Sequence, residues 1–181
     1  MKKKIILINA LLLLSMPGWA QNIFKAAQLN DITGIKFLLN YGIDVNDRDA
    51  QGNTPLIVAV KSGQKVAVHF LLEKDADVDV QNKAGNTALI TACLSGSQAE
   101  TDLLIEHHAN PNIQNATGVT ALIAAVKAGN TEVVKHLLAS GADARLSDHQ
   151  HKSAVDYAKD LKRKEIFDLL NSSFTAILHE S

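Results

Sequence analysis

Asp49-Ala50-Gln51-Gly52-Asn53-Thr54-Pro55-Leu56-Ile57-Val58-Ala59-Val60-Lys61-Ser62-Gly63 reads as a turn, a capped helix and a stop. The Gly52-Asn53 step is turn chemistry, because glycine reaches backbone angles closed to other residues. Thr54 is placed to cap a helix by accepting a bond from a free backbone N–H, a device whose loss costs about 1 kcal/mol. Pro55 suits the first helical position, where its missing N–H is not needed. Leu56, Ala59 and Val60 then fall on one helical face, and Gly63 ends the helix in the left-handed conformation common past a C-terminus. A second helix is predicted from Lys65 to Glu73, with Val66, Phe70 and Leu71 as its apolar stripe. Asp75-Ala76-Asp77-Val78-Asp79 leads the chain to the next tip.

This unit recurs. Leu71 is followed at steps of 33 by Leu104, Leu137 and Leu170, and preceded by Leu38. Ala26, Ala59, Ala92, Ala125 and Ala158 keep the same step, as do Thr54, Thr87 and Thr120 with the similar Ser153. Gly52, Gly85 and Gly118 form one further row, and Gly63, Gly96 and Gly129 another. Several residue types sharing one period without insertions define a repeat array. Two short helices cannot bury their apolar faces alone, so each unit must lean on its neighbours. The five leucines are expected to form one internal row.

The strings Gly52-Asn-Thr-Pro-Leu-Ile-Val-Ala59, Gly85-Asn-Thr-Ala-Leu-Ile-Thr-Ala92 and Gly118-Val-Thr-Ala-Leu-Ile-Ala-Ala125 resemble the Thr-Pro-Leu-His-x-Ala core of ankyrin repeats. Gly42-Ile-Asp-Val-Asn46, Ala76-Asp-Val-Asp79 and Gly141-Ala-Asp143 resemble the loop closing each such repeat. The resemblance, from Asn22 to about Asn171, implies an all-α ankyrin-repeat solenoid of about five helix-turn-helix units with short β-hairpin tips. The units are drawn at about 21–48, 49–81, 82–114, 115–147 and 148–171, with 172–181 as a C-terminal tail that either packs on the stack or frays. Ile57, Ile90, Ile123 and Asp156 replace the family's histidine, so polar bonding between neighbouring turns is expected to be weaker and apolar contact to replace it. The end units are atypical: His151 stands at the turn-glycine position and Lys162 at the helix-ending one, as befits caps with a polar outer face.

Ahead of the array, Lys2-Lys3-Lys4, the apolar run Ile5 to Met16, and Gly18-Trp19-Ala20 have the three parts of a signal peptide over residues 1–20, with cleavage expected after Ala20. An uncleaved anchor is the alternative, but the run is short of the roughly 20 residues a span needs. Cleavage would leave 15 basic against 19 acidic residues, a net of about −4. Without a basic run, nucleic acid is not an expected partner. A periplasmic or secreted location follows, with no membrane span after cleavage. Cys93, the one cysteine, cannot form an internal disulfide.

No nucleophile elbow, phosphate loop or dinucleotide fingerprint occurs, so no catalytic residue, cofactor or enzyme activity is expected. His107 and His108 adjoin each other past a helix, and His149 and His151 flank a turn tip; no cysteine or carboxylate completes a tetrahedral set, so no metal site is expected. Cys93 falls at an apolar helix position and reads as a small hydrophobe.

In an array of this kind the tips and inner faces of the first helices line a concave surface. The resemblance implies that these positions contact a partner. The tips supply Ala50, Gln51 and Asn53; Lys83, Ala84 and Asn86; Ala116, Thr117 and Val119; and His149, Gln150 and Lys152. The helices supply Lys61 and Ser62, Leu94 and Ser95, and Lys127 and Ala128. Leu94 and Val119 are expected to be exposed apolar groups amid Lys61, Lys83 and Lys127, as in an interface with a polar rim. The expected function is that of an exported, monomeric module binding another protein, an inhibitor or immunity protein gripping one envelope or secreted partner. The alternatives are an accessory protecting a periplasmic enzyme, such as an oxidant-handling one, and a host-directed effector; metal chemistry at His149 and His151 is a third.

Overall fold

The computed structural model describes residues 22–179, with side chains through Ser172; the expected leader lies outside the described residues. Ten helices occur among them: α1 Ile23–Gln28, α2 Ile32–Asn40, α3 Pro55–Lys61, α4 Lys65–Leu72, α5 Ala88–Ser95, α6 Gln98–Glu106, α7 Ala121–Ala128, α8 Thr131–Ala139, α9 Ala154–Asp160 and α10 Lys164–His179. They form five helix pairs at the expected period. The first helices α1, α3, α5, α7 and α9 contact one another in series, and α2, α4, α6, α8 and α10 form a second series behind them. The fifth pair runs past the boundary drawn at 171, because α10 continues to His179.

The caps form as the sequence implies. Thr54, Thr87 and Thr120 accept from the N–H groups of Ile57, Ile90 and Ile123 at 3.3, 3.2 and 3.2 Å. Ser153 completes a reciprocal capping box with Asp156. Ala26, Ala59, Ala92, Ala125 and Ala158 are all fully buried. A side chain no larger than a methyl there lets consecutive first helices approach closely. Sandwiched on several sides, α7 buries every residue from Ala121 to Val126.

Leu71, Leu104, Leu137 and Leu170 are fully buried and form the internal row; Leu38 is only half-buried. Among the described residues α2 has a second-helix neighbour on one side alone, which leaves its outer flank uncovered by them. The second helices also sit one residue out of the expected phase. In α4 the buried residues are Ala67, Val68, Leu71 and Leu72, whereas Val66 is 57% exposed. The face that packs runs i, i+1, i+4, i+5, because α4 rests on both its own first helix and the neighbouring second helix. Glu100 of α6 falls in this buried phase, where Ala67, Val133 and Ile166 stand in other units.

Left-handed backbone follows the period more strictly than glycine does. Asn30, Gly63, Gly96, Gly129 and Lys162 have φ of 59°, 66°, 68°, 78° and 56°. Gly42, Asp75, His108 and Gly141 form a second such row. His108 is thus a link between units placed where other units use glycine. No named strand occurs among the described residues, contrary to the expected β-hairpins; the single isolated bridge joins Ser147 and Ser153. Each tip is closed by too few backbone bonds to make a ladder. No helix of the described residues is long and apolar enough to cross a membrane.

Candidate binding face

Each tip is built on an acceptor side chain. Asp49 Oδ1 accepts from the backbone N–H groups of Gln51 and Asn53, both at 2.8 Å. Asn82 does the same for Ala84 and Asn86, Asn115 for Thr117 and Val119, and Asp148 for Gln150 and Lys152. The row of Asp or Asn at 49, 82, 115 and 148 is a set of positioning residues that turn chemistry at Gly52 alone did not reveal. Its signal was available in the 33-residue step.

With the loop fixed, adjacent tips join. Lys83, Ala116 and His149 donate their N–H groups to the carbonyls of Gln51, Ala84 and Thr117, each at 3.0 Å. Amide side chains add a second link: Asn82 Nδ2 donates to Asn53 Oδ1 and Asn115 Nδ2 to Asn86 Oδ1, both at 2.8 Å. Gln81 and Gln114 each donate to a carbonyl of the next unit, Gln114 and Ser147 respectively. At the loops' other edge, Asn46, Asp79 and Asn112 accept from the N–H groups of Asp77, Asn110 and Asp143. Ile57, Ile90 and Ile123 lie in the core at 1% exposure and supply apolar contact, as expected, and polar bonding between neighbouring turns is present beside it. It is carried by backbone bonds and by the asparagine and glutamine rows.

These bonds decide which tip residues face solvent. Ala50, Gln51, Lys83, Ala84, Ala116, Thr117, His149 and Gln150 are exposed. Asn86 and Lys152 are half-buried. Two expectations are corrected. Val119 is buried at 7% exposure and Asn53 at 8%, because this position turns under the tip, where Asn53 serves the amide link and Val119 meets the core. On the helices, Lys61, Ser95, Lys127 and Ala128 are exposed, Ser62 is half-buried, and Leu94 is 51% exposed. Leu94 is thus the apolar centre, without Val119. At the N-terminal end, a groove of about 600 Å³ opens between α1, the first tip and α3, lined by residues including Phe24, Lys25, Gln51, Val58, Lys61 and Ser62.

The last tip is wired differently. Asp148 has no amide to donate and Val119 none to accept, so the amide link stops and the Tyr157 hydroxyl donates to Asp148 Oδ2 at 2.5 Å. Burial pushes the Asp148 carboxyl up; the Tyr157 hydroxyl, two backbone N–H groups and Lys127 outweigh it and leave it below the usual carboxylate range. The same bond, with burial, raises the Tyr157 hydroxyl to about 12. Lys127 Nζ lies 4.7 Å from the centre of the Tyr157 ring. Because the folded hydroxyl titrates above its unfolded value of roughly 10, its contribution is complete below that pH and lost as pH rises toward 12. Tyr157→Phe should remove the late phenolate signal from an ultraviolet titration and cost about 1 kcal/mol at neutral pH. An unchanged titration would show that the bond does not persist in solution.

Among the described residues no three His, Cys, Asp or Glu side chains gather as a metal site would require. His149 and His151 are exposed. Cys93 is buried against Thr101, and burial pushes its thiol up to about 12, far from the thiolate a nucleophile needs.

A sequence model described as ankyrin repeats (3 copies) matches residues 23–115, 67–148 and 99–177. No curated protein matches the chain significantly.

Proposed function

The chain belongs to the ankyrin repeat family, whose repeats are generally non-enzymatic modules for protein–protein interaction, and from that premise we propose that it is an exported inhibitor or immunity protein gripping one envelope or secreted protein. The observation that carries the binding face is Leu94. It is a large apolar side chain held half in solvent on α5, one unit from Lys61 on one side and Lys127 on the other. An apolar centre with a charged rim is the usual arrangement of an interface whose energy is concentrated in few residues. Export is supported by the Lys2-Lys3-Lys4 start, the short apolar run and the small residues before Gln21. A role in binding is supported by tips that present polar, charged and apolar side chains on a mutually bonded frame.

The test is capture of a stoichiometric partner from envelope extract by the chain lacking residues 1–20, with the partner identified by mass. Leu94→Glu places a charge on an already exposed site, so it should abolish capture while leaving the helical signal and thermal midpoint unchanged. Recovery of the same partner by Leu94→Glu would sink the assignment of the face. A partner that is not an envelope or secreted protein would sink the proposed role.

A further inference from the structure

One row of first-helix positions reads Gln28, Lys61, Leu94, Lys127 and Asp160, each one repeat after the last, and every member is exposed. The charges along it and its bordering tips are unequal in availability. Asp160 is paired with Lys152 at 2.6 Å. Asp49 and Asp148 are consumed within their own tips, each accepting from two backbone N–H groups and from a side chain, Asn53 and Tyr157 respectively. Lys61, Lys83 and Lys127, by contrast, make no direct ion pair among the described residues: Lys61 acts on Asp49 and Lys127 on Asp148 only through space, and Lys127 also lies over the ring of Tyr157. The carboxylates bordering this face are thus held by partners of their own. What it presents is ammonium groups without a direct ion pair around one exposed leucine.

Geometry narrows what could use them. Neighbouring helices pack roughly 8–10 Å apart, and an extended chain rises about 3.3 Å per residue. Adjacent rungs of the row therefore match residues about three apart in a strand laid across the first helices. We propose that this face takes an extended acidic segment of the protein partner, with a carboxylate at Lys61, an apolar side chain at Leu94 and a carboxylate at Lys127. The pattern in the partner is acidic–x–x–apolar–x–x–acidic. This rests on the reading of the tips and first helices as the binding face and adds the chemistry of what binds there. Charge complementarity selects this occupant: a basic segment would meet three lysines whose ammonium groups hold no direct ion pair.

The experiment is an amide-resolved NMR titration of the chain lacking residues 1–20. The probe is an end-capped peptide with Glu, Leu and Glu at spacing three and serine between, set against its twin with Lys in place of both Glu. The acidic peptide should shift the amides around Lys61, Leu94 and Lys127, and higher salt should weaken it. Lys61→Gln with Lys127→Gln should weaken it about three- to tenfold, with Arg at both positions restoring it. Equal response to the lysine peptide, no response at millimolar peptide, or shifts centred on α6 and α8 would each overturn the proposal. The partner itself separates the two readings. If its capture is lost in Leu94→Glu but untouched in the double Gln variant, the acidic segment is wrong and the face stands; if neither variant matters, the face falls too.

Discussion

Gly85→Ala is expected to lower the stability of the protein by about 2–4 kcal/mol, more than any other single methyl added to a tip. Two costs combine. Gly85 has φ of +75°, where a Cβ costs roughly 1–2 kcal/mol. That Cβ would also lie 2.4 Å from the Ala116 backbone nitrogen and 2.9 Å from the Asn115 carbonyl carbon, so the next tip must retreat. Retreat breaks the Ala116-to-Ala84 bond and strains the Asn115-to-Asn86 link, and overpacking of this kind adds about 1–3 kcal/mol. His151 supplies the control within the same chain. It has φ of 59° at the equivalent position and carries a whole imidazole, and among the described residues no further tip presses on it. His151→Ala should therefore be nearly neutral. Urea unfolding of both variants decides the matter: similar losses would mean that close approach of the next tip is not what the glycine serves.

Leu71→Ala should cost about 2–5 kcal/mol. Leu71 is fully buried between α3 and the flanking second helices, with Leu104 one repeat away in the same row. A short-helix array has no alternative core into which the neighbours can collapse, which favours the upper half of that range. Leu38→Ala is the internal comparison, since Leu38 is half-buried at the end of the stack and its truncation should cost distinctly less. Equal losses at the two sites would contradict the picture of units that depend on neighbours on both sides.

The repeat, the caps and the helix pairs were legible because they follow from residue type at fixed spacing, as at Thr54, Thr87 and Thr120. What was not legible depends on how one unit covers the next. Val66 fits a helical apolar stripe but points to solvent, since the packing face is set by two neighbours rather than one. Val119 and Asn53 occupy tip positions yet lie beneath the tip. The replacement of histidine by Ile57, Ile90 and Ile123 pointed to apolar contact between turns, but did not reveal the polar link between Asn53 and Asn82 and between Asn86 and Asn115. Of the binding face, the register named the outward tip residues and Leu94. That its lysines hold no direct ion pair emerged only once Asp49 and Asp148 were seen bonded within their tips and Asp160 paired with Lys152.

The claim that the tips and first helices are the working face is tested most directly by hydrogen–deuterium exchange of the protein with and without its captured partner. Slowed exchange is predicted in the tips at 82–86 and 115–118 and at the exposed ends of α5 and α7, with α6 and α8 unchanged. Protection concentrated on α6 and α8, with the tips exchanging as before, would contradict it.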